Sequence, residues 1–103
     1  FYTRVWKTMP EGLQIDGNYG MTTIQEIIAK HNVTPTYLEE LGLNYVAYQS
    51  DVDGNQYQMW IEDSTAVKNK MSLIQKYDLA GVACWKLGQQ ENADVWSVIN
   101  SFF

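Results

Sequence analysis

Residues 79–85, LAGVACW, are seven in a row without a charge, and Lys86 and Gly88 follow at once. A strand with one wet face alternates apolar and polar side chains. A run that is apolar on both faces is instead the mark of a strand covered on both sides, as in a parallel sheet under helices. The flanks fit that reading. Before the run, Asp63 or Ser64 can cap a helix in which Val67, Met71, Ile74 and Tyr77 or Asp78 fall on one stripe. After it, Asn92 or Asp94 can open a last helix with Val95, Val98, Ile99 and Phe102 on its inner face. Residues 64–103 thus read as the closing helix–strand–helix of an α/β protein.

The remainder supplies one other candidate parallel strand, FYTRVWK at 1–7. Two strands close neither a barrel nor a doubly wound sheet. The chain also begins inside that aromatic stretch, so it reads as a piece of something longer. Residues 8–20 hold Pro10, Gly12, Gly17 and Gly20 and read as a loop. Thr23 and Glu26 have capping-box spacing ahead of Ile24, Ile27 and Ile28, which predicts a two-turn helix ending near His31. In 34–42, TPTYLEELG, Thr34 as cap, Pro35 at the first helical position and Gly42 as stop favour a short helix over a plain loop. NYVAYQ and QYQMWI flank SDVDGN, a hairpin signal near 44–62. Within it Tyr57, Met59 and Ile61 face one way, and Gln56, Gln58 and Trp60 the other.

Composition narrows the function classes. In 103 residues, 46% are apolar, enough for one modest core. The net charge of −5 gives no basic footprint for nucleic acid and would be repelled by an anionic membrane, so neither partner is expected. No stretch approaches the ~18 apolar residues of a membrane-spanning helix. Cys84, the one cysteine, cannot form an internal disulfide and reads as a small buried hydrophobe. His31 is alone and distant from Cys84, so no metal or cofactor is expected; its plain reading is a solvated cation at a helix end. Asp51-Val-Asp53-Gly54-Asn55 has its glycine too early for a calcium loop and reads as a turn. Glu39-Glu40 and Glu62-Asp63 are adjacent carboxylates. Glycosidic hydrolysis needs two carboxyls facing across a bond, which adjacency does not provide, and Asp63 reads as a helix cap.

Aromatics carry the stronger signal, at 14% with four Trp and seven Tyr. Trp85 ends the apolar run, at the strand end where α/β barrels carry their active sites. Core packing and sugar stacking stand level for it from sequence alone. Tyr2 and Arg4 share a face of the first strand, and Arg4 offers a fork of donors. For Arg4 a surface ion pair is the plainer reading.

Several of these stretches together resemble glycoside hydrolase family 18. FYTRVWK is similar to that family's seventh barrel strand, written PFYGR followed by an aromatic. Residues 59–99 resemble its final stretch, with an aromatic–acid pair, a serine and a lysine before a helix, an eighth strand of the form GVxxWxLG, and a terminal helix with a Trp. The nearest likeness is to the bacterial spore-cortex and cell-wall N-acetylglucosaminidase branch. The resemblance implies an α+β fold in isolation, cut from the last part of a (β/α)8 barrel. Residues 1–7 would be strand seven, 8–63 the α+β insertion, and 64–103 the last helix–strand eight–helix unit.

It further implies that Trp85 floors the subsite where an N-acetyl sugar is cleaved and that Tyr2 and Arg4, with Trp6 as a weaker match, line the same cleft. The family's DxxDxDxE signature occurs in no window of this sequence. The resemblance implies a parent that hydrolyses β-1,4-linked N-acetylglucosamine polymers such as chitin or peptidoglycan, outside the cell at the wall or spore coat, whereas this piece, lacking the signature, should be inactive alone. The alternative is a free-standing carbohydrate-binding or interaction module. Orphan strands with open edges also predict a homodimer of the isolated piece.

Overall fold

The structure is a computed structural model that describes residues 1–86, 88–89 and 93–103. It is an α+β fold. Five strands form one antiparallel sheet in the order β2-β1-β5-β4-β3, made of β1 (Tyr2–Met9), β2 (Gly12–Gly20), β3 (Thr36–Leu38), β4 (Leu43–Gln49) and β5 (Gln56–Ile61). Three helices accompany it, α1 (Met21–Lys30), α2 (Ser64–Tyr77) and α3 (Ala93–Asn100).

The sheet is two hairpins joined by one seam. β1 turns back as β2, β4 turns back as β5, and β1 pairs with β5 through Val5↔Met59, Trp6↔Gln58 and Lys7↔Tyr57. Because a strand's side chains alternate, the seam sorts them cleanly. Val5, Val46, Tyr57, Met59 and Ile61 point to the side where α1 lays Ile24 and Ile28, and together they make the first core. A second core gathers Val67, Met71 and Ile74 of α2 with Val95 of α3 and Met21, with Phe1, Val98, Ile99 and Phe102 packed around it.

The β4–β5 hairpin, its two faces, the stripe of Val67, Met71 and Ile74, and the inner face of α3 all match expectation. Asp63 caps α2, its Oδ1 accepting the Ala66 N–H at 3.0 Å while Oδ2 accepts Asn44 Nδ2 at 2.8 Å. Asn92 lies outside the described residues, and α3 runs from Ala93.

Other expectations are corrected. Residues 8–20 are not a loop, since only Pro10 and Glu11 turn before β2 begins. β1 offers a free edge, and its backbone groups pair more favourably with β2 than with water-exposed coil. A bulge hides the alternation. Val5 faces Gly17 and Trp6 faces Ile15, leaving Asp16 as the extra residue, so side chains on either side of it swap faces. Tyr19 lies over Gly17, where an added Cβ would come within 2.9 Å of the ring's Cζ. The stretch 34–42 is β3 plus a turn rather than a short helix, because β4's outer edge captures Thr36–Leu38 and Gly42 closes the turn at φ 67°. α1 starts two residues before Thr23, with Gly20 at the cap and no side-chain cap bond, so the Thr23–Glu26 box is unused. Tyr77 is exposed and Asp78 ends α2 in the left-handed region, so neither joins the buried stripe.

The largest correction concerns 79–85. The sheet is antiparallel throughout, and the run is neither a strand nor buried; Cys84 is exposed, not a core residue. A run apolar on both faces needs a strand on each side and cover above and below. Here the sheet's two edges belong to β2 and β3, and the run's tie to β1 is the Phe1 backbone nitrogen donating to the Trp85 carbonyl at 2.5 Å.

His31 is not simply solvated either. It is half-buried at the end of α1, its Nδ1 lies 2.9 Å from the Ile27 carbonyl, and its ring stacks on Tyr48 at 4.0 Å. Tyr48 in turn stacks on Tyr57, whose hydroxyl donates to Asp53 at 2.5 Å. That bond first, then the Asn55 N–H and Lys7, hold the Asp53 carboxyl down at about 2, and the same bond pushes Tyr57 up to about 12.

Replacing Asp63 with Ala should lower unfolding stability by ~1–2 kcal/mol in a denaturant titration, while Asp63→Asn, which keeps a capping oxygen, should lose less. The Asp53–Tyr57 bond also sets a pH window. Asp53 has a depressed value, so its contribution is full above the ordinary carboxylate range and lost as pH falls toward about 2. Tyr57 has a raised value, so its contribution is full below the ordinary tyrosine value of about 10 and lost as pH rises through about 12. In Tyr57→Phe the Asp53 carboxyl should titrate higher, shifted part of the way toward the ordinary ~3.9, by carboxyl-carbon NMR, because the Asn55 N–H and Lys7 remain; an unmoved midpoint would show that the Tyr57 bond does not set it.

Candidate functional site

The outer face of the seam is the reverse of the first core. Thr3 and Val5 point inward and are both 1% exposed, so Tyr2, Arg4 and Trp6 point outward. On β5 the same parity turns Gln58 and Trp60 outward beside them. Continued past Val5, the register brings Arg4 alongside Trp60 and Tyr2 alongside Glu62. Thr3 fastens this stretch, its Oγ1 accepting the Glu62 N–H at 2.8 Å.

A cleft of about 610 Å³ opens over this face. Its floor is Tyr2, Arg4, Trp6 and Trp60; α2 supplies one wall through Val67 and Lys70, and residues 82–85 supply the other. Trp85 stands at the rim, 73% exposed, and the peptide between Trp85 and Lys86 is cis. The four residues singled out in the sequence, Tyr2, Arg4, Trp6 and Trp85, therefore line one cleft.

Among the described residues Arg4 has no ion-pair partner of the expected kind. Its Nε donates to Asn18 Oδ1 at 3.0 Å, and its guanidinium carbon lies 5.8 Å from the Trp6 ring centroid. The Asn18 bond and the ring hold the guanidinium in place at the cleft. Glu62 is the carboxylate among the described lining residues, and Lys70 Nζ lies 2.5 Å from its Oε2. The Glu62 side chain is 17% exposed and that of Lys70 61%, so the acid is half sunk in the wall and the ammonium reaches into water. A cleft of this size, with aromatic faces and a few fixed polar groups, suits a small molecule with an apolar side and a polar rim. Among the described residues, no group of three or more His, Cys, Asp or Glu is placed to hold a metal ion, and no helix is long and apolar enough to cross a membrane.

Sequence reasoning missed three lining residues, Trp60, Glu62 and Lys70. Trp60 was legible, because it falls opposite in parity to Met59 and Ile61. Glu62 and Lys70 meet only because β5 runs directly into α2, which folds back beside it.

No protein-family model matches the chain. Curated relatives do. A cortical fragment-lytic enzyme of Bacillus anthracis is 37% identical over 38 residues, which are 37% of this chain and 9% of that protein. The probable di-N-acetylchitobiase 2 of Dictyostelium discoideum is 31% identical over 65 residues, 57% of this chain and 17% of its own length. Among solved structures, the Bacillus cereus spore cortex-lytic enzyme SleL superposes with a TM-score of 0.87 at 20% identity, over 99% of this chain and 24% of that one. A chitinase from Chromobacterium violaceum gives 0.82 at 24% identity, over 98% and 30%. The sequence matches and the fold point to one family.

In fold and in part of its sequence the chain resembles glycoside hydrolase family 18 chitinase-like proteins.

It corresponds to the C-terminal part of such chitinase-like proteins and spans a minor share of their length. The exposure of 79–85 has a direct readout. Cys84 should react fully with a maleimide under native conditions, at a rate near that of the unfolded chain. A thiol protected until denaturant is added would mean that the run is covered in solution.

Proposed function

We propose that this family 18 segment forms part of the glycan cleft of a glycosidase acting on β-1,4-linked N-acetylglucosamine polymers, chitin or peptidoglycan. The observation that carries the reading is the convergence of Tyr2, Arg4, Trp6 and Trp85 on one cleft. Trp85 and Trp6 offer indole faces to the C–H side of a pyranose ring. Arg4, held against Trp6 by Asn18, directs its remaining donors to hydroxyl or acetamido oxygens. The names of the curated relatives, a cortical fragment-lytic enzyme and a chitobiase, support a glycan of this class, and the former supports a site of action at the spore or wall.

In this reading 79–85 becomes the eighth strand of a (β/α)8 barrel, β1 the seventh, and the sheet residues between them the insertion. The seven uncharged residues then have the two-sided cover that their composition calls for. The acid of the DxxDxDxE signature, absent from this sequence, would come from elsewhere in the protein. With one carboxylate among the described residues of the cleft, and that one bound to Lys70, these residues bind and orient the sugar and do not protonate the leaving group.

Two measurements on the chain itself check this. N-acetylglucosamine oligomers should perturb tryptophan fluorescence weakly, at millimolar sugar, and Trp85→Ala should abolish most of the change. The chain should release no sugar from a chitooligosaccharide. Fluorescence indifferent to sugar at that concentration would count against the binding role, and robust turnover would refute the division of labour.

A further inference from the structure

The open end of the β1–β2 hairpin makes two backbone bonds to the tail that carries Trp85. Tyr2 and Gly20 are partners across the two strands and form the rung at that end. Phe1, just before Tyr2, gives its backbone nitrogen to the Trp85 carbonyl at 2.5 Å. Met21, just after Gly20, gives its N–H to the Gln89 carbonyl at 3.0 Å. Neither donor is loose. The Phe1 ring meets Trp96 edge-on at 6.0 Å, and Met21 is buried in the second core.

The second bond stands in for a helix cap. α1 has no side-chain cap, and its first N–H would otherwise be an orphan. The Gln89 carbonyl takes that place, and Gly20 makes the approach possible. Its φ of −68° and ψ of 170° are open to any residue, so what it contributes is space. A Cβ there would stand 3.2 Å from the Gln89 carbonyl oxygen, which would have to give way.

We propose that Gly20 is a positioning residue for Trp85: by admitting the Gln89 carbonyl to the start of α1, it closes the second of two anchors that hold the indole at the cleft beside Tyr2. This rests on the reading of Trp85 as a sugar-stacking residue. With the Phe1 bond alone, the tail could pivot about one point; with both bonds, its angle to the sheet is set. A platform fixed beforehand loses less conformational freedom when a ring stacks on it. Sugar on Trp85 and the Met21–Gln89 bond are then coupled, and each stabilises the other.

Amide hydrogen exchange and NMR on the whole chain test this. In the unmodified chain the Met21 amide should exchange about tenfold or more below its unfolded rate, although it is the first of its helix. A saturating N-acetylglucosamine tetramer should slow it about fivefold further. Gly20→Ser is the variant. Serine caps helices at least as well as glycine, so capping alone predicts an unchanged or higher unfolding midpoint. Its hydroxyl would serve the second or third helical N–H and leave that of Met21 to water. With the anchor displaced, Met21 exchange should accelerate, the Trp85 indole N–H resonance should move, and tetramer binding should weaken about fivefold. Should Gly20→Ser fail to fold, the two exchange measurements on the unmodified chain still decide the matter. A Met21 amide exchanging at its unfolded rate, or one indifferent to bound tetramer, would overturn the proposal. So would a folded Gly20→Ser chain with an unmoved Trp85 resonance and full affinity. A tetramer that does not bind the unmodified chain would overturn the glycan reading instead, while Met21 exchange and the Trp85 resonance would still report whether the anchor exists.

Discussion

The antiparallel pairing of β1 with β5 makes one sheet out of two hairpins, and the rest of the molecule is arranged by it. On one side of the seam, Val5 and Met59 set the floor for α1. On the other, Tyr2, Arg4, Trp6 and Trp60 are turned outward by the same alternation. Core and cleft are thus two faces of a single constraint. A register slip of one residue would exchange them, placing Arg4 in the core and Val5 in water. The desolvation of an arginine makes that slip very costly, which is why the register is strongly specified.

The second dependence is the β5–α2 junction. Ile61 is buried, Glu62 lines the cleft, and Asp63 caps the helix, so three successive residues serve three surroundings. The backbone can do this because Glu62 donates its N–H to Thr3 and the Asp63 side chain satisfies the Ala66 N–H while holding Asn44. The turn from strand to helix is tied to both hairpins. Lys70 consequently arrives at Glu62 without either residue being placed for the other in sequence.

Much of this was legible. The hairpin at 44–62, the parity of β5, the Asp63 cap and the stripe Val67, Met71, Ile74 follow from local pattern and local chemistry. So does the grouping of Tyr2 and Arg4 on one face. The errors have physical causes. β2 was disguised by glycines that serve a bulge and a close ring contact rather than a loop. β3 is too short for a pattern and exists because β4 has an edge to offer. Residues 79–85 have the composition of a doubly covered strand, yet a strand's burial depends on neighbours that the run itself cannot supply.

The amino-acid sequence by itself determined which residues share a face and where α2 is capped. Those properties are set by the two-residue period of strands, the helical repeat and the local reach of a carboxylate. Only the tertiary structure decided that Trp85 and the β1 trio converge on one cleft, that Arg4 rests on Trp6 and Asn18, and that Trp60, Glu62 and Lys70 belong to the same surface. Each of these is a meeting between segments distant in the chain, governed by sheet register and by the fold-back of α2, and no local pattern encodes such meetings.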